Sequence, residues 1–95
     1  MFNQLVFKPH NIPNAVQATY TFSNGWMISV VSGPGLYGRI EDNTYEVAIF
    51  RPNGNMTDDV KGWNSEAEVS AMMWVLSQLP GYNSRKTDWR FCFPY

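Results

Sequence analysis

Val16, Ala18, Tyr20 and Phe22 alternate with Gln17, Thr19 and Thr21, and after Ser23-Asn24-Gly25 the β-rich run Trp26-Met27-Ile28-Ser29-Val30-Val31 follows. Alternation with a period of two on both sides of a turn signal calls for a hairpin with one apolar face. Its register can be tested, because a slip of one residue carries a whole strand's side chains to the opposite face. A two-residue Asn24-Gly25 loop sets Phe22 opposite Met27 and strands Trp26, Ile28 and Val30 on the threonine face. A three-residue loop, with Gly25 in the left-handed position, pairs Phe22 with Trp26, Tyr20 with Ile28 and Ala18 with Val30. The second register gathers the large apolar residues on one side and is the one expected.

The remaining elements are built around this hairpin. Residues 1 to 14 carry Pro9, Asn11, Pro13 and Asn14 after Leu5-Val6-Phe7, which leaves an arm with at most a short edge strand. Gly33-Pro34-Gly35-Leu36-Tyr37-Gly38 interrupts the sheet and, with Arg39 to Thr44, makes a loop of about a dozen residues, long for a compact domain. Tyr45, Val47 and Ile49 alternate with Glu46 and Ala48 in a strand over 45–50 that ends at Arg51-Pro52-Asn53-Gly54. Met56 to Val60 reads as a short polar strand or as a lead into the helix. Ser65 and Glu68 form a capping box, Glu66 adds negative charge to the first turn, and Pro80-Gly81 ends the helix, which is predicted over 65–79. At about 100° per residue, Val69, Met72, Met73, Leu76 and Leu79 share the face that packs on the sheet. Trp74 projects from the opposite, small-residue side. Two placements remain open for it: burial under the C-terminal stretch from Tyr82, where Trp89, Phe91 and Phe93 alternate with Arg90 and Cys92, or a partner or self-association surface. Trp63, just before the cap, is expected to staple the helix start to the core. The fold class is therefore α+β, a small antiparallel sheet of about three to five strands packed against one helix, in a single domain over 1–95.

Composition narrows the functional classes. Apolar residues make up 44% of the 95, enough for a core, and charged residues only 16%, which excludes the signature of disorder. Seven Lys and Arg against eight Asp and Glu leave a net charge of -1, too little positive charge for direct nucleic-acid binding and too little negative charge for a DNA mimic. Cys92 is the single cysteine, so an internal disulfide or a cysteine-based zinc site is not expected. No apolar run reaches the roughly 20 residues of a membrane span, and Met1-Phe2-Asn3-Gln4 lacks the basic start of a signal peptide.

Catalytic constellations are sparse. The only histidine, His10, lies in the proline-rich arm, away from any evident nucleophile, and Cys92 reads as a small buried apolar group. The carboxylate pairs Glu41-Asp42, Asp58-Asp59 and Glu66/Glu68 lack calcium-loop spacing, and neighbours on extended chain point apart. The 33–38 loop is not a phosphate cradle, because no Lys-Ser/Thr pair follows and it joins two strands. A recognition loop with Tyr37 and Arg39 as contact residues fits it better. Tyr20, Phe22 and Trp26 lack the basic groove of a base-stacking platform and are expected in the core.

Phe22-Ser23-Asn24-Gly25-Trp26 leading into Ile28-Ser29-Val30-Val31, Tyr37-Gly38 before Tyr45-Glu46-Val47-Ala48, and Thr57-Asp58-Asp59-Val60 with Gly62-Trp63 before Glu66-Ala67-Glu68-Val69 resemble small bacteriophage proteins over residues 16 to 79. Some phage proteins of this size, anti-CRISPR proteins among them, block bacterial immune complexes by stoichiometric binding. The resemblance implies a phage or prophage origin more strongly than any target. The sparse catalytic chemistry and the surplus of aromatic contact candidates add the expectation of a non-enzymatic inhibitor without a cofactor, acting in the host cytoplasm on a bacterial protein or ribonucleoprotein complex, with no membrane partner. The expected contact surface combines Tyr37, Arg39, Glu41 and Asp42 of the loop with Asp58, Asp59 and Trp74, whose acidic groups suit a basic nucleic-acid-binding groove on the target. The alternatives are a nucleotide-signal-binding oligomer, in its simplest form a homodimer, and a minor virion component.

Overall fold

The computed structural model describes residues 1–81. They form a five-stranded antiparallel sheet, in the order β1 (Lys8–Pro9), β2 (Val16–Thr21), β3 (Met27–Ser32), β4 (Tyr45–Phe50) and β5 (Lys61–Asn64). Every strand pairs with its neighbour in sequence, and one helix, α1 (Glu66–Ser77), covers one face. The α+β class is as expected.

The hairpin takes the three-residue loop. Ala18 faces Val30 and Tyr20 faces Ile28, the Phe22 N–H donates to the Trp26 carbonyl at 2.7 Å, and Gly25 adopts φ +95°. Burial follows this register: Trp26, Ile28 and Val30 are inaccessible to solvent, while Thr19 and Thr21 lie exposed. The helix meets this face with Val69, Met73 and Leu76, all fully buried, and Met72 packs at the margin. Its start is the capping box read from the sequence. The Glu68 N–H donates to Ser65 Oγ at 3.1 Å and the Ser65 N–H to Glu68 Oε1 at 2.8 Å.

The far end of the helix is closed by the hairpin. Asn24 Nδ2 donates to the carbonyls of Leu76 and Leu79 at 2.8 and 2.9 Å, so one turn side chain binds one acceptor of the last helical turn and one just beyond the helix. The indole of Trp26 donates to the Pro80 carbonyl at 2.9 Å. The tip of the hairpin and the end of α1 are thus held as one unit, although about fifty residues of sequence separate them.

Three expectations require correction. The N-terminal segment is more than an arm: Leu5 joins the buried core and the Phe2 N–H donates to Ser70 Oγ at 2.9 Å, while the short edge strand allowed for residues 1 to 14 is Lys8–Pro9. Phe2, Phe7 and Tyr45 have ring centroids 5.2–5.9 Å apart, and this aromatic burial outweighs the prolines' resistance to regular structure. Of Met56 to Val60, only Met56 bridges to the sheet, opposite Phe50, and the last strand begins at Lys61. Trp63 does not staple the helix to the core but stands 53% exposed. Tyr45 faces Asn64 and Val47 faces Lys61, so two steps on β4 span three on β5. The extra residue makes a bulge, which leaves Asn64 buried in the place expected for Trp63, with Nδ2 donating to the Tyr45 and Lys61 carbonyls. The C-terminal stretch from Tyr82, including Cys92 and any cover it provides for Trp74, lies outside the described residues.

Tyr45 links this core to pH. Burial, and secondarily the nearby negative charge of Glu66, raise its phenol above the ordinary value of 10.0. The folded chain therefore holds this proton more tightly than the unfolded chain. The associated stability is complete below pH 10 and falls as pH rises toward the folded pKa. In urea titrations between pH 9 and 11.5, Tyr45→Phe is expected to lose stability less steeply than wild type, and parallel slopes would refute this.

Candidate functional site

The loop between β3 and β4 is closed on itself by hydrogen bonds. Gly33 to Leu36 form a tight turn in which the Leu36 N–H donates to the Gly33 carbonyl at 3.2 Å, with Pro34 and Gly35 (φ +80°) at its centre, the residues a type II turn requires. The Gly33 N–H donates to the Gly38 carbonyl at 3.0 Å and closes the segment. A 3-10 turn over Ile40–Asp42 follows and ends at Asn43 in the left-handed region. Arg39 and Thr44 lock its base, because the Arg39 N–H donates to Thr44 Oγ1 at 2.9 Å and the Thr44 N–H to the Arg39 carbonyl at 3.1 Å.

This loop reaches β5 through Tyr37. The Trp63 N–H donates to the Tyr37 carbonyl at 2.7 Å, and the Tyr37 N–H donates to Glu46 Oε1 at 2.9 Å. The two rings meet edge to face, centroids 6.5 Å apart and planes at 63°. Both remain largely in solvent, Tyr37 60% and Trp63 53% exposed. Beside them lies an open concavity of about 260 Å³ lined by Gly33, Pro34, Gly35, Leu36, Arg39, Glu41 and Trp63. Trp63 occupies this place with φ +60°, a conformation that costs a bulky L-residue about 1–2 kcal/mol.

Among the residues expected at the contact surface, Tyr37, Arg39 and Glu41 come together here, and Asp42 lies in the same 3-10 turn, exposed. Asp58 and Asp59 lie exposed in the turn before β5, where the Asp59 N–H donates to Asp58 Oδ1. Trp74 stands on the outer side of α1, 59% exposed. Among the described residues no hydrogen bond or ring contact joins Asp58, Asp59 or Trp74 to the loop. Trp63 is the site residue that sequence reasoning missed. The available signal was its polar setting, Lys61-Gly62 before it and Asn64 after it, which marks no apolar stripe. Gly62 supports the arrangement, since a side chain there would come within 2.7 Å of Tyr37 Cβ.

The chemistry on offer is stacking and hydrogen bonding. Among the described residues no three His, Cys, Asp or Glu side chains gather as metal ligands, and the Nδ1 of His10 accepts the Ile12 N–H at 3.0 Å. No helix among them is long and apolar enough to cross a membrane. No family model, curated protein or solved structure matches the chain. The fold is α+β, and its β3–β4 loop and β5 set two exposed aromatic rings side by side.

Proposed function

We propose that this protein is a non-enzymatic inhibitor of phage origin that binds a bacterial host complex stoichiometrically, a defence system such as CRISPR-Cas foremost. The observation that carries the reading is the exposed Tyr37–Trp63 pair, held on a hydrogen-bonded platform. Two large aromatic rings kept in solvent at a conformational cost suit a contact surface, where tryptophan and tyrosine dominate binding energy. The resemblance to small phage proteins supports the phage origin. Capture of a small ligand in this concavity is less favoured, because its 260 Å³ falls below the roughly 300–1,000 Å³ of ligand pockets.

The test is plaquing of a targeted phage on a CRISPR-protected host that expresses the protein, together with affinity capture of the host complex. Wild type is expected to restore plaquing and recover the complex, and Tyr37→Ala to lose both while retaining its circular dichroism. Asp58→Ala/Asp59→Ala and Trp74→Asp variants report whether the acidic pair and the helix contribute to the same surface. Wild type that neither restores plaquing nor captures a complex, but runs as a discrete oligomer, would replace the proposal with ligand sequestration.

A further inference from the structure

Deepening that reading, we infer that the Tyr37–Trp63 corner is a docking site for an extended, proline-containing peptide segment of the partner, flanked by a basic residue. The recurring modes of peptide recognition can be tested one by one against this surface. Strand addition to β5 is blocked at the site itself. The Trp63 N–H already donates to the Tyr37 carbonyl, and Tyr37 Cβ closes over Gly62. A helix about 10 Å across does not fit a concavity of about 260 Å³, which holds one or two side chains. A phosphorylated or acidic motif needs clustered arginines, and this loop sets the single Arg39 against Glu41 and Asp42. The polyproline mode fits the surface best, since in it aromatic walls receive pyrrolidine rings that are already ordered before binding.

The geometry supplies its parts. Two exposed rings inclined at 63° form a corner with two apolar walls. Extended proline-rich backbone exposes carbonyls that have no internal partners. The Trp63 indole N–H and the Tyr37 hydroxyl are donors without a hydrogen-bond partner among the described residues. Glu41 lines the adjoining concavity and, with Asp42 close by in the same turn, leaves the loop net negative. Complementary charge on the peptide is therefore positive. The strained φ of Trp63 has the same explanation: core packing does not need this ring, since Asn64 takes the buried place, whereas a ligand needs it in solvent.

Fluorescence anisotropy of the full chain, with labelled decaproline carrying two arginines at its end, tests the proposal. Expected is saturable binding at one peptide per chain, weakened about tenfold or more by Trp63→Ala and by Tyr37→Ala. Decaproline without arginines should bind more weakly and be indifferent to Glu41→Lys, which should weaken the arginine-bearing peptide. A Gly-Ser peptide with the same arginines should not saturate. Trp63→Gly gives a readout that a structural tryptophan would not: peptide binding is lost while Tm holds or rises, because glycine adopts φ +60° without strain. Absence of saturable binding, equal binding of the Gly-Ser peptide, or a fall in Tm for Trp63→Gly would overturn the inference. Self-association that Trp63→Ala abolishes, without peptide binding, would assign the corner to a second copy instead. If plaquing is restored and the complex captured but the peptide does not bind, the inhibitor reading stands and only this inference falls.

Discussion

Trp26→Ala is expected to lower stability by about 3–5 kcal/mol, which in a domain of this size shifts Tm down by roughly 15–30 °C. The ring is inaccessible to solvent and sits among the largest fully buried side chains. Its removal opens a cavity between sheet and helix and strips the Pro80 carbonyl of the 2.9 Å indole donor. The two Asn24 hydrogen bonds to Leu76 and Leu79 persist at the junction of hairpin tip and helix end. Trp26→Phe separates the two contributions, because it keeps most of the ring volume and loses the donor. It is expected to cost about 1–2 kcal/mol. Urea unfolding of both variants checks this; a loss below 1 kcal/mol for Trp26→Ala would show that the interface re-packs around the gap.

Gly33→Ala has the next largest expected effect, about 3 kcal/mol. Gly33 has φ +142°, a region reserved almost wholly for glycine. A Cβ added there would stand 2.6 Å from both Cα and Cβ of Ala15, so the backbone of the segment before β2 must move as well as the loop. Strain and overpacking each contribute about 1–3 kcal/mol. Gly35→Ala is the control, since it also has positive φ but nothing within 4 Å of the added methyl. It is expected to cost about 1 kcal/mol. The difference in Tm between the two variants measures the collision. Adding Ala15→Gly to Gly33→Ala should restore only part of the loss, because the Ala15 Cα lies as near as its Cβ. Because the Gly33 N–H closes the 33–38 segment, Gly33→Ala should also disturb the platform that presents Tyr37.

The legible parts of this protein are those written within short stretches. The three-residue hairpin loop was readable because Trp26, Ile28 and Val30 must share a face with Ala18, Tyr20 and Phe22, and only one loop length achieves it. The helix was readable because Ser65 and Glu68 complete their capping bonds three residues apart and its apolar positions repeat at the helical period. The role of Asn24 was less visible. Asparagine before glycine announces a turn, and nothing near it in sequence shows that its amide will close a helix more than fifty residues away.

The candidate site divides along the same line. Tyr37, Arg39 and Glu41 could be picked out because a long glycine- and proline-bearing loop between strands is a place for recognition. Trp63 could not, since its side depends on the register of β5 against β4, where one extra residue turns the ring outward and Asn64 inward. A bulge has no reliable local signature, because it arises from how two strands and their covers accommodate each other. The sequence alone thus determined the α+β class, the hairpin register and the helix, all governed by periodicity and caps that act over a few residues. The tertiary structure alone decided that Tyr37 and Trp63 meet in solvent, because their contact is set by sheet pairing and loop closure between residues far apart in the chain.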